Sequence, residues 1–154
     1  MKNVLKLMVV VALVAALGFS FVSCKGNSAG GGGGGGGGGS GANLYTTDMF
    51  TMTQSNFQTK FSETLSNGQF KSYTGTHSQL SAKWAAAWSA KISTLPNVDE
   101  VSLAALITHL QNNTNFSSGE ISQVVTRLES NTSALVAKNN SDTYTIAFVF
   151  KKDL

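Results

Sequence analysis

Few residues in this 154-residue chain carry reactive groups, and they are widely spaced. There is one cysteine, Cys24, so no disulfide can form within the chain, and the thiol's open roles are covalent modification or metal ligation. There are two histidines, His77 and His109. A zinc site needs three or four ligands, so the two histidines read as polar surface or boundary residues. The carboxylates are Asp48, Glu63, Asp99, Glu100, Glu120, Glu129, Asp142 and Asp153, and no spacing among them selects an acid/base pair for glycoside hydrolysis. Asp99 and Glu100 read as first-turn residues of a helix, where the dipole favours negative charge. Residues 112–120 lack the spaced acids of a calcium loop, and Ser117 and Ser118 have no nearby base to activate them. Trp84 and Trp88 leave two readings open: a ring platform for a sugar or peptide, or core side chains sharing a helix face with Leu80 and Ile92. The expectation is no catalytic, cofactor-binding or metal-binding residue, and no enzyme.

The chemistry of Cys24 depends on what precedes it. The chain opens Met1-Lys2-Asn3-Val4-Leu5-Lys6, basic and free of acids, and residues 7–22 are apolar apart from Gly18 and Ser20. A basic start, a short apolar run and a small residue at the end form the secretory pattern. The run falls short of the ~20 residues that span a bilayer as a helix. Its ending, Phe21-Val22-Ser23-Cys24, resembles the lipobox of bacterial lipoproteins. The commonest lipobox carries Leu where this chain has Phe21, and Gly or Ala where it has Ser23; spirochaete and Bacteroidetes lipoproteins accept such variants. The resemblance covers about the first 25 residues. It implies cleavage between Ser23 and Cys24, followed by attachment of diacylglycerol and a further acyl chain, such as palmitate, to Cys24. Membrane lipid is then the partner of Cys24. Two or more chains give stable anchoring, each buried methylene contributing about 0.8 kcal/mol. In enteric members of the family Asp in the next position retains the protein in the inner membrane, so Lys25 implies the outer membrane. The competing readings are a plain signal peptide and an uncleaved anchor with an incidental cysteine.

After residues 1–23 as signal peptide, residues 24–42 read as the lipidated cysteine and a tether containing ten consecutive glycines, Gly30 to Gly39. Polyglycine has no side chain to bury and the most backbone entropy to lose, so it is expected to stay disordered. Eighteen such residues reach roughly 21–25 Å as a coil. A phosphate-cradling loop needs a strand before it and a helix after it, which neither flank supplies.

Residues 43–154 read as a single globular domain. The formal charge of +3 belongs to the export signal and tether: from Asn43 onward there are eight basic and eight acidic residues. A neutral domain without a basic cluster has no electrostatic footprint for nucleic acid. Of these 112 residues, 46 are Ser, Thr, Asn or Gln, a composition fitting an exported protein. The Asn-x-Ser/Thr sequons at Asn112 and Asn131 would be glycosylated only in a eukaryote.

Periodicity sketches the elements. Residues 43–52 read as a strand, and Phe57, Phe61 and Leu65 place a helix over 54–65 with Asn67-Gly68 as its stop. Residues 70–75 form a short strand or an irregular loop. Thr76 and Gln79 open a helix that the Leu80, Trp84, Trp88, Ile92 stripe carries to Leu95, closed by Pro96. Asn97 with Glu100 opens a third helix, carrying Leu103, Leu106, Ile107 and Leu110. Ser117 with Glu120 opens a fourth, spanning Ile121 to Leu135 with a break near Asn131. Residues 139–142 are turn chemistry, and 143–151 alternate cleanly as a strand. A lone strand leaves its backbone unpaired, and its expected partner is residues 44–52. The predicted fold class is α+β: a small antiparallel sheet pairing the two ends of the domain, with three or four helices over one face. The expected role is a non-enzymatic binding module in the envelope with an envelope or host protein as partner. The alternatives are small-molecule binding between helices and sheet, and a small hydrolase; the sequence fixes no oligomeric state.

Overall fold

The computed structural model describes residues 43–152. They form an α+β fold of six antiparallel strands and four helices. In chain order these are β1 (Tyr45–Thr53), α1 (Gln54–Phe61), β2 (Phe70–Tyr73), α2 (His77–Trp88), β3 (Ser93–Thr94), β4 (Val98–Val101), α3 (Leu103–Asn113), α4 (Ser118–Ser130), β5 (Ser133–Asn139) and β6 (Thr143–Lys151). The strand order is β2-β5-β6-β1-β3, with β4 also paired to β1. The first and last strands do pair, in unbroken register from Tyr45 opposite Lys151 to Thr53 opposite Thr143.

Helices cover both faces of the sheet, not one. The strand sequences say why. In β6, Tyr144, Ile146 and Phe148 point to one side and Ala147 and Val149 to the other, and all five are buried. A strand apolar on both sides must be covered on both. On one side α1 and α2 bury an aromatic layer that includes Phe50, Phe57, Phe61, Trp84, Tyr144 and Phe148. On the other, α3 and α4 bury a mainly aliphatic layer of Leu106, Ile107, Leu110, Ile121, Val124, Val125 and Leu128 over Met49, Val136, Ala147 and Val149.

Each helix starts at a hydroxyl. Thr53, Thr76, Ser102 and Ser117 accept from the backbone N–H three residues on, and Thr76/Gln79 and Ser117/Glu120 form the two expected capping boxes. Four element boundaries differ from the sequence reading, each because the backbone is needed elsewhere. Helix α1 ends at Phe61, where Ser62 turns left-handed with φ 57° and returns its N–H to Gln58 O. Leu65 lies beyond the helix yet is buried, its N–H and C=O both held by the Tyr144 hydroxyl. Helix α2 ends at Trp88, not Leu95, because the following residues pair with β1: Ile92 N donates to Thr51 O, and Ser93 and Thr94 form β3. Ile92, the fourth member of the stripe, is consequently 53% exposed.

Asn97 caps no helix. Its Oδ1 accepts from Met49 N at 2.6 Å, so a side-chain carbonyl continues the ladder between β3 and β4. Asp99 and Glu100 lie in β4, not in a helical first turn, and Ser102 is the cap. Helix α4 stops at Ser130, and Leu135 belongs to β5, a strand the helical stripe concealed. The β5–β6 hairpin turns at Ser141–Asp142, within the predicted turn segment, with Asn139 Oδ1 accepting from Ser141 N and Asn140 N donating to Thr143 O.

Candidate functional site

Ser23 and Cys24 lie outside the described residues, as do the signal segment and the glycine tract. Among the described residues no helix is long and apolar enough to cross a membrane, and no three His, Cys, Asp or Glu side chains converge as metal ligands.

The two tryptophans separate. Trp84 is 9% exposed, with ring centroids 4.9 Å from Phe50 and 5.4 Å from Phe148, so it packs as core. Trp88 is half-buried, edge-on to Phe50 at 5.0 Å, and Lys91 Nζ lies 4.2 Å above its ring. The lysine covers the ring face that a sugar or peptide would stack on.

The histidines stand apart. His77 lies tilted against Phe150 with ring centroids 5.0 Å apart, with Ser133 Oγ 3.3 Å from Nδ1 and Ser81 Oγ 3.4 Å from Nε2. Ser133 is buried beneath the ring, and the second nitrogen meets a hydroxyl instead of a carboxylate, so neither access nor orientation suits a nucleophile and base. His109 bridges Pro96 O at 2.7 Å and Asn113 Nδ2 at 3.2 Å, fastening α3 to the loop before β4. Ser117 caps α4 and Ser118 begins it.

Three of the seven described carboxylates pair with lysines. Glu63 accepts from Lys71 Nζ and from the Tyr73 hydroxyl. Partial burial pushes its pKa up, but those two hydrogen bonds and the charges of Lys71 and Lys83 outweigh it and hold the group below the ordinary value. The same pairing, after burial, drives the Tyr73 phenol upward, so it stays protonated. Glu120 takes Lys138 at 2.7 Å, and Glu100 takes Lys152 at 2.5 Å.

Two shallow grooves lie on the aliphatic side, each beside a sheet edge. The first, of about 460 Å³, lies between β4 and α3, with Val98, Val101, Ala104 and Ala105 as its apolar floor and Thr108 and His109 on its wall. Its hydrogen-bonding groups are largely paired within the protein.

The second, of about 420 Å³, runs between β2 and α4 and is lined by Ser72, Ser122, Gln123, Thr126, Arg127, Ser130 and Asn131. Three buried side-chain polar atoms among the described residues have no hydrogen-bond partner, and two of them, Ser72 Oγ and Arg127 Nε, belong to residues of this groove. Arg127 is the only arginine in the sequence. Its Nη2 reaches Gly75 O at 3.4 Å, the long limit of a hydrogen bond, and no carboxylate among the described residues pairs with it.

Strand β2 ends the sheet on this side. Gly68, with φ 75°, opens it through a bulge: Gly68 N donates to Asn139 O and Asn139 N donates to Gln69 O. With that register fixed, antiparallel alternation sends the backbone of Lys71 and Tyr73 toward β5 and turns the N–H and C=O of Phe70 and Ser72 outward. The groove therefore combines an unpaired strand edge, a buried hydroxyl without a partner and a guanidinium that no carboxylate among the described residues pairs with. Sequence reasoning missed it. The signal available was the solitary arginine in a domain otherwise supplied with lysine.

No family model matches this chain, nor does any curated protein or solved structure.

Proposed function

We propose that this protein is a bacterial lipoprotein, held in the cell envelope at the outer membrane by acyl chains on Cys24, and that its domain is a non-enzymatic interaction module. The sequence Phe21-Val22-Ser23-Cys24, after a basic start and a short apolar run, carries the anchoring half of this reading. The open form of both grooves supports the other half: each is a shallow trough beside a strand, a shape that receives a surface more readily than it encloses a substrate. A tether of roughly 21–25 Å lets the domain reach a neighbour in the envelope while its anchor stays in the lipid.

Cells fed labelled palmitate test the anchor. The wild-type protein is expected to carry label and to fractionate with membranes, and Cys24→Ser to lose both. A labelled Cys24→Ser variant, or one still held in the membrane, would overturn the anchor. Formaldehyde cross-linking of intact cells tests the module: discrete adducts with envelope proteins are expected, and none would count against it.

The β4/α3 groove sustains the second reading, a small apolar ligand over Val98, Val101, Ala104 and Ala105. A Val101→Glu variant that abolished retention of a co-purifying small molecule would favour it.

A further inference from the structure

The β2 edge and the groove beside it are more specific than a general contact surface. We infer that an extended peptide segment of a partner protein adds as a strand to β2 and places one carboxylate side chain on Arg127. This deepens the interaction reading above and rests on it.

The backbone supplies the first half. Phe70 and Ser72 turn one N–H and one C=O each away from β5, and β2 has no strand on its outer side. A strand added there would lie about 4.8 Å farther out, and its backbone would pair these groups at both residues. Its side chains would alternate between the sheet's two faces. Those on the α4 side would enter the groove, which continues the face that Ser72 occupies.

The groove supplies the second half. Its lining holds one charged residue, Arg127, set among Ser, Thr, Gln and Asn. A single fixed positive charge in a neutral polar trough is complemented by a single negative one, and a guanidinium takes a carboxylate through two parallel hydrogen bonds. Arg127 now makes one long contact to Gly75 O, which it can exchange at little cost. Ser72 Oγ, buried at the wall of the same trough, is also without a hydrogen-bond partner.

A second copy of this chain fits worse. Pairing β2 with another β2 would bring two short strands that each carry Lys71, and a four-residue strand offers Arg127 no acid of its own. The opposite edge is closed to this mode. Pro96 lacks a donor, Asn97 turns its side chain into the ladder, and Glu100, with φ 51°, makes β4 irregular where its register with β1 shifts. Asp99 and Glu100 would also repel an acidic segment there.

The experiment uses the lipidated protein in nanodiscs as bait for displayed hexapeptides. One library fixes Glu at a central position and a matched one fixes Gln, with the other positions random. Enriched peptides are expected to come from the Glu library, to avoid proline and to favour β-branched residues at alternate positions. They should bind the wild type at least tenfold more tightly than Arg127→Gln. Ser72→Pro removes an outward N–H while sparing the β2–β5 ladder, and it should lose binding by a similar factor. Hydrogen exchange should slow at residues 70–73 on binding and stay unchanged at 93–101.

Equal enrichment of the two libraries, unchanged affinity in Arg127→Gln, or protection at 93–101 instead of 70–73 would each overturn the inference. So would failure to enrich any peptide above empty nanodiscs. Should Ser72→Pro fail to fold, Arg127→Gln decides, because it leaves the ladder untouched. Envelope adducts that persist in Arg127→Gln cells would sink this site and leave the interaction reading standing; absence of adducts in the wild type would sink the interaction reading itself.

Discussion

The two helical layers close their faces of the sheet by different means. Over one face, α1 and α2 bring flat rings together. Phe57 stacks on Phe61 at 4.5 Å and on Tyr144 at 4.1 Å, while Phe50 meets Trp84 and Trp88 near 5 Å. The rim is finished with charge, as Lys83 lies over the Phe61 and Tyr73 rings and Lys91 over Trp88. Over the other face, α3 and α4 pack mainly branched aliphatic side chains that fill the centre, while at the edges Phe70 of β2 and Val98 and Val101 of β4 pack against them only partly buried. The two grooves lie at those edges. One layer is sealed by rings and cations. The other keeps open the space where a partner can meet an unpaired strand.

If that division holds, a cut in the aromatic layer should cost stability and leave binding alone. Trp84→Ala removes a ring from the tightest cluster and is expected to destabilise by about 3–5 kcal/mol in urea unfolding. Selected hexapeptides should bind the surviving folded fraction with unchanged affinity. A small stability loss joined to lost binding would invert the comparison and make the tryptophan a platform.

A smaller cut tests how the aromatic layer holds the chain that crosses its end. The Tyr144 hydroxyl contacts Leu65 N, Leu65 O and Asn139 Nδ2, all buried. Tyr144→Phe keeps the ring and leaves Leu65 N without its partner, so a loss of about 1–3 kcal/mol is expected. Its hydrogen-exchange signature should appear at residues 65–69, just before β2. Unaltered exchange there would mean that the loop is held by something else.

The closed edge offers a matching test on the aliphatic side. Asn97→Ala leaves the Met49 N–H facing a gap in the ladder and should cost about 1–2 kcal/mol. Arg127→Gln, on the open edge, should stay within about 0.5 kcal/mol of the wild type, because its guanidinium makes one marginal internal bond. An arginine change as costly as the asparagine change would show Arg127 to be a structural strut.

The contrast between layers also explains which parts of the fold could be read from the chain. Strand β6 was legible because alternation over nine residues has only one interpretation, and β1 because its mix of Thr, Tyr, Phe and Met suits a strand and β6 had to find a partner. The capping boxes at Thr76 and Ser117 were legible because they are local. Strand β5 was not: Leu135 sits where an extension of α4 would place it, and only pairing with β6 reveals the strand. Strands β3 and β4 are two and four residues long and carry little pattern of their own; their ladder with β1 forms them. The second helical layer was implied by the apolar residues on both sides of β6, a cue that the cleaner alternation of its large rings obscured. The β2/α4 groove was the least legible feature, because an unpaired edge and a guanidinium without a carboxylate partner are properties of tertiary placement.

The smallest expected effects lie in two carboxylates at opposite rims of the aromatic layer, and they differ in sign. Glu63, against β2, has its pKa held below the ordinary value: burial acts upward, and Lys71, Tyr73 and Lys83 overcome it. The folded state therefore binds this proton less readily than the unfolded chain, so the stabilisation is complete above the ordinary glutamate value and is lost as pH falls through the depressed one. Asp48, on β1 beside β4, is raised, first by partial burial and then by the charge of Asp99. Ionising it costs stability, so its penalty is absent below the ordinary aspartate value and develops as pH rises through the elevated one. Both groups are substantially solvated, and screening keeps each contribution below about 1 kcal/mol. Urea midpoints from pH 3 to 7 should show Glu63→Gln less stable than wild type at neutral pH and converging with it in acid. Asp48→Asn should be the more stable protein at neutral pH, also converging in acid, and salt should shrink both differences. Two variants shifting in the same direction at pH 7 would mean that the rims of the aromatic layer are not the charged seal and acidic flank described above.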